Sequence, residues 1–189
     1  MIVRAILAII LLAYPFLVYF GIQSISAQWI CLLMLVLVVT RYRLFKTSGK
    51  NTPPALKLAT ISAVILFALG GLFDSQWALK FYPVVINLSL AAVFLYSLYK
   101  PPAVITLIAQ LKEKATPSML SYTTKVTQVW SGFFLINASV AAWTIFYQQG
   151  QYWLIYNGFL SYLLCGLLFA IEWIVRIQYK KRHETEVNP

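Results

Sequence analysis

Six long apolar runs organise the chain, at about 3–20, 26–40, 58–73, 79–99, 126–147 and 152–178. Each is apolar all round, without the two-residue alternation of a barrel strand. A segment in lipid must satisfy its own backbone hydrogen bonds, which an α-helix does, and about 20 apolar residues suffice to cross. The pattern predicts an all-α integral membrane protein with six transmembrane helices in a single domain over 1–189. Six such spans use about 120 residues and leave no room for a separate soluble domain. Short links at 21–25, 74–78 and 148–151 alternate with longer ones at 41–57 and 100–125, which groups the helices into three hairpins, 3–40, 58–99 and 126–178.

The charges fix an orientation. The short links carry no Lys or Arg, and Asp74 is their only charge. With the N-terminus inside, every one of the 15 Lys and Arg residues except Lys80 falls on the cytoplasmic side, and so does the C-terminus. Cationic loops resist translocation, so this asymmetry supports both the topology and the helix count. Tryptophan and tyrosine agree: Trp29, Trp77, Trp143 and Trp153 fall at outer ends, Tyr42, Tyr99, Trp130, Trp173 and Tyr179 towards inner ones. One alternative concerns the start, where Ile25-Ser26-Ala27 could serve as a cleavage site after a signal-like first run. The composition, 61% hydrophobic and 11% charged, excludes a soluble globule, for which about 45–50% and about 25% are usual. The net charge of +10 then reads as orientation and attraction to anionic headgroups rather than nucleic-acid binding. Cys31 and Cys165 fall inside spans as small apolar fillers.

The inner links carry further pattern. Thr47–Pro54 is turn chemistry, and its lone Gly-Lys pair lacks the other features of a phosphate loop. After Lys100-Pro101-Pro102, the segment near 103–114 places Val104, Ile105, Leu107, Ile108 and Leu111 at helical spacing with a polar end. This predicts an interfacial helix lying apolar face down on the cytoplasmic leaflet. Lys100, Lys112, Lys114 and Lys125 would then form a surface for anionic lipid headgroups or for a membrane or cytosolic protein partner. Ser118 is placed to cap the next helix, which begins ahead of the membrane and enters it near Lys125. Pro15 should kink the first helix, whereas Pro83, near the start of the fourth, should cost little. The Tyr-Pro pair at 14–15 recurs at 82–83 as a weak internal repeat.

Polar groups inside a span are costly and mark where to look for function. Asn87 and Asn137 lie near mid-span, Gln128 and Asn157 nearer opposite ends. Each could be interhelical glue or the lining of a substrate path. Glu172 is the only acid within a span, and Arg176 follows at the spacing of a local ion pair. A proton- or substrate-binding carboxylate is the alternative. Lys80 can snorkel outward towards Asp74. Ala59/Ala63, Ala138/Ala142 and Gly166/Ala170 would let helices approach closely. No catalytic residue, metal site or cofactor is expected: His183 stands alone in the tail, and no span holds paired carboxylates.

A family likeness runs through the second half. Its elements are Phe81-Tyr82-Pro83 with Asn87, Lys100-Pro101-Pro102 with Ile105 and Ala109, and Tyr122-Thr123 with Thr127 and Trp130. Phe133-Phe134-Leu135 with Asn137, Trp153, Tyr156-Asn157-Gly158 and Glu172-Trp173 complete it. Over about 77–182 this resembles a group of uncharacterised bacterial polytopic inner-membrane proteins often encoded beside aryl-polyene or fatty-acid-like synthesis genes. More distantly it is similar to the intracellular septation protein A family. The resemblance implies a multi-pass bacterial inner-membrane location and a role in envelope or lipid-linked biogenesis, and no reaction. The expectation is a non-enzymatic protein acting through partner or lipid binding. A small transporter or lipid flippase with a polar path through helices 4–6 is the alternative, and a membrane acyltransferase is a weaker third.

Overall fold

The computed structural model describes residues 9–10, 12–46, 53–111, 116–146 and 150–187, with side chains as far as Tyr179. Every regular element among them is helical: α1 (Tyr14–Gly21), α2 (Ala27–Lys46), α3 (Pro54–Leu72), α4 (Gln76–Tyr99), α5 (Val104–Gln110), α6 (Pro117–Phe146), α7 (Gly150–Ile155), a π-helical turn (Tyr156–Leu160) and α8 (Ser161–Val187). Five segments are long and apolar enough to cross a membrane: α2, α3, α4, α6 and the run Gly150–Tyr179. They correspond to the second to sixth apolar runs. Much of the first run lies outside the described residues, so the described residues hold five candidate spans. Where the first run is described it breaks at Ala13, and Pro15 occupies the first turn of a new helix, where its missing N–H matters least.

The exterior is as apolar as the interior. Ile61, Ile136, Leu167 and Phe169 are all exposed, as expected when lipid is the solvent. Burying hydrocarbon from hydrocarbon contributes little, so the helices are held by close packing and by polar contacts. The main core joins α1, α2, α3, α4 and α6 around Tyr14, Val18, Cys31, Met34, Phe67 and Leu79. The two Tyr-Pro tyrosines meet there, with the Tyr14 and Tyr82 rings 4.6 Å apart and Phe67 stacked on Tyr82 at 5.0 Å. Gly70 lets three helices converge: a Cβ there would collide with Ala78 and lie 2.9 Å from Cys31 Sγ. Of the predicted small pairs, Ala63 and Ala138 are buried, whereas Gly166 has open space beside it.

The links show how the ends are closed. Asp74, in the α3–α4 turn with a positive φ of 45°, accepts a 2.8 Å hydrogen bond from the Gln28 N–H. A carboxylate thus caps the positive N-terminus of α2. Asp74 is therefore committed to α2 rather than to Lys80, which is half-buried and forms no ion pair among the described residues. Thr116, not Ser118, caps α6, its Oγ1 accepting from the Met119 N–H at 3.2 Å ahead of Pro117. The segment near 103–114 does form a helix, α5, over Val104–Gln110. It docks on α6 through its small face, where Thr106 and Thr123 hydroxyls meet at 2.6 Å. Its unsatisfied N-terminal N–H groups find Ser97 Oγ (3.0 Å, from Val104) and Thr127 Oγ1 (3.4 Å, from Ile105). The predicted apolar face is divided. Val104 and Ile105 pack against the second core cluster of Ala91, Phe94 and Phe134, while Leu107, Ile108 and Leu111 remain exposed.

Candidate functional site

The site begins with Pro83. It lies within α4 rather than at its margin, so its missing N–H leaves the carbonyl of Leu79, four residues back, without a helical donor. In lipid no water can replace it. The Tyr14 hydroxyl donates to that carbonyl from α1, and Trp153 Nε1 donates to the adjacent Lys80 carbonyl at 3.1 Å from α7. Both donors are aromatic side chains that are themselves buried. The proline thus draws α1 onto α4, and it costs more than the sequence suggests because a distant residue must compensate for it; the Lys80 carbonyl, whose helical donor is the Val84 N–H, takes the Trp153 bond as a second one and ties in α7.

One turn further on, Asn87 Nδ2 donates to the Pro83 carbonyl at 2.8 Å, which aims its Oδ1 at α6. Asn137 meets it there and is fully engaged. Its Nδ2 donates to Asn87 Oδ1 and to Ser161 Oγ, both at 2.9 Å, and its Oδ1 accepts from the Tyr156 hydroxyl at 2.7 Å. The π turn at Tyr156–Leu160 makes this possible. Its wider winding brings adjacent residues Tyr156 and Asn157 both into the interior. Asn157 Nδ2 bonds the Trp153 carbonyl at 3.0 Å and Thr144 Oγ1 at 3.3 Å. Gly158 keeps the turn close to Phe16, since a Cβ would lie 3.2 Å from that ring. Asn87 stands about 16 Å along α4 from Gln76, and Asn137 about 14 Å from the Phe146 end of α6, at about 1.5 Å per residue. Both are mid-depth for a hydrocarbon layer of about 30 Å.

Beside this network lies an open-sided cavity of about 420 Å³, bounded by α1, α2, α4, α6 and α8. Asn87, Asn137, Asn157 and Ser161 form its polar side, and Ile86, Leu90, Phe133 and Phe134 contribute apolar wall. Tyr162, whose hydroxyl donates to the Leu12 carbonyl at 3.1 Å, stands at the exposed rim. Arg41 of α2 also lines the cavity. The sequence offers it only as one more inner-side cation at the end of a span.

The other candidate residues lie elsewhere. Gln128 is exposed on α6 and does not join the network. Glu172 and Arg176 form no ion pair among the described residues; Glu172 instead receives the Tyr122 hydroxyl, 3.4 Å from Oε1 and 3.3 Å from its main-chain oxygen. Tyr122 stacks on Tyr179 at 4.6 Å, whose hydroxyl donates to the Ser118 carbonyl at 3.0 Å. These contacts and Lys125 line a second groove, about 360 Å³, between α6 and α8. Lys100 is exposed, its Nζ 5.6 Å above the Tyr96 ring. Lys112 and Lys114 lie outside the described residues. Among the described residues no cluster of His, Cys, Asp or Glu could hold a metal ion.

The intramembrane asparagines were legible because unsatisfied amides are costly in lipid. Tyr14, Trp153, Tyr156 and Ser161 were not, since their roles depend on the carbonyl that a proline frees, on the one beside it and on a π turn. The paired Tyr-Pro motifs were the one available hint. No protein-family model, curated protein or solved structure matches the chain.

Proposed function

We propose that this chain is a non-enzymatic, multi-pass protein of a bacterial inner membrane, with its basic end in the cytoplasm. It serves envelope or lipid- and acyl-linked biogenesis by binding a membrane lipid or similar amphiphile. The observation that carries this reading is the mid-depth cavity of about 420 Å³, largely apolar in its lining with a cluster of amide and hydroxyl groups, and open on part of its boundary. Its volume lies within the range of small-molecule sites, about 300–1,000 Å³. Lys100 and Lys125, with Lys112 and Lys114, supply the accompanying surface for anionic headgroups or a protein partner.

A second reading is transport of the bound amphiphile, as by a small transporter or flippase. The Pro83 interruption of α4 and the π turn before α8 favour it, because they place two irregular helices beside one cavity, an arrangement tolerated in membranes where it lines a path.

Native mass spectrometry of protein extracted in mild detergent tests the binding reading. The wild-type chain should retain lipid, and Ile86→Trp, which fills the cavity, should lose it while keeping its helical circular dichroism. Equal lipid retention by the two proteins would refute the site.

A further inference from the structure

Resting on that reading of the cavity, we infer that its ligand is a single-chain amphiphile with a terminal oxyanion, a carboxylate or phosphate monoester, held at its head by Arg41. The inference comes from which hydrogen-bonding capacity the site has already used. Two of the three amide oxygens are taken: Asn87 Oδ1 accepts from Asn137, and Asn137 Oδ1 accepts from Tyr156, while Asn157 Oδ1 accepts from no described residue. What remains is largely donors. The guanidinium N–H groups of Arg41 and the Tyr82 hydroxyl form no hydrogen bond with any described residue. Ser161 accepts from Asn137 and keeps its own proton, and Asn87 has one amide hydrogen beyond that given to the Pro83 carbonyl. No carboxylate among the described residues lines the cavity. A site rich in donors and holding a cation is complementary to an oxyanion, and the planar guanidinium fork matches two coplanar oxygens.

The position of Arg41 agrees. It lies about 8 Å from the Lys46 end of α2 by helical rise, and Cα–Cβ bonds tilt towards a helix's N-terminus. Its side chain therefore starts out towards the bilayer centre, although an arginine near a helix end usually snorkels to the interface. Arg41 is exposed at the inner end of its span, so its guanidinium is open to a ligand, and no carboxylate of the cavity lining competes for it. The walls at Ile86, Leu90 and Phe133 and the open part of the boundary suit the adjoining chain, while the volume is small for a whole two-chain phospholipid.

The test is binding to the full chain in phosphatidylcholine nanodiscs, read by native mass spectrometry. The probes are sixteen-carbon chains ending in a carboxylate, a phosphate monoester or a hydroxyl, with acetate and inorganic phosphate as chainless anions. At least one charged amphiphile should bind ten-fold or more tighter than the alcohol, and the chainless anions should not displace it at similar concentration. Arg41→Gln should remove that preference while leaving alcohol binding unchanged; Arg41→Lys should retain the charge but lose several-fold through loss of the fork. Arg43→Gln, exposed on the same helix, should change nothing. Equal binding of acid and alcohol overturns the inference while leaving amphiphile binding intact. An acid preference that survives both Arg41 substitutions, or falls equally in Arg43→Gln, also overturns it, as does displacement by chainless anions at matching affinity. If no probe binds, the inference fails, and the lipid retention compared with Ile86→Trp decides separately whether the cavity reading fails too. Should Arg41→Gln not fold, an unchanged preference in Arg41→Lys is sufficient to refute it.

Discussion

Tyr14→Phe should destabilise the protein in proportion to what Pro83 withholds from α4. The substitution removes one hydroxyl and little else, because the ring keeps its packing against Phe67 and Tyr82. Tyr14 is 1% exposed and Leu79 0%, so neither water nor lipid can replace the lost donor at the Leu79 carbonyl. Interhelical hydrogen bonds in membranes average about 0.6 and reach about 1.7 kcal/mol, while stranding a buried acceptor costs about 1–3 kcal/mol. We expect a loss of about 1.5 kcal/mol. The same substitution in a Pro83→Ala background should cost under about 0.5 kcal/mol, because the backbone N–H that alanine restores supplies the carbonyl with a helical partner. The double-mutant cycle therefore predicts a coupling of about 1 kcal/mol between residues 14 and 83. Reversible unfolding in mixed micelles, followed by tryptophan fluorescence, measures all four corners. Additivity of the two substitutions within about 0.3 kcal/mol would refute the idea that the tyrosine answers the proline.

Two further outcomes test the packing. Gly70→Ala should lower stability by about 1–3 kcal/mol, the usual range for overpacking, because its methyl group would strike Ala78 and Cys31; adding Cys31→Ala should recover only part, and an unchanged midpoint for Gly70→Ala in the same unfolding assay would contradict the close approach. Asn137→Val should cost about 2–3 kcal/mol, since three interhelical bonds vanish together, and Tyr156→Phe should then add little to it; full additivity of those two changes would show that the network does not act as a unit.

The helices were legible because lipid imposes a crude and demanding rule, an uninterrupted apolar run, and α2, α3, α4 and α6 obey it. Asn87, Asn137 and Asn157 were legible for the complementary reason, that each breaks the rule. Their meeting was not legible, because it depends on the register between helices that are far apart in sequence. The local arguments also failed where a longer-range partner was better placed. Glu172 takes Tyr122 across a helix interface in place of Arg176 one turn away, and Asp74 caps α2 in place of neutralising Lys80. Arg41 escaped notice because the charge count that orients the chain treats every cation near a span end as interchangeable. Gly70, outside the predicted small-residue pairs, showed that spacing alone does not identify which small residue meets a neighbour.

The stitching of α4 also constrains biogenesis. Tyr14 and Trp153 reach their carbonyls across 65 and 73 residues of chain, one from before the helix and one from after it. While the polypeptide is being made, α4 emerges with the first of these partners already present and the second still unsynthesised. Until the C-terminal portion arrives, the Lys80 carbonyl has only the partner that helix geometry gives it, the Val84 N–H, and the tie from Trp153 is missing. The membrane-inserted intermediate is thus left open on the side where α7 will dock, and only translation of the final hairpin closes it.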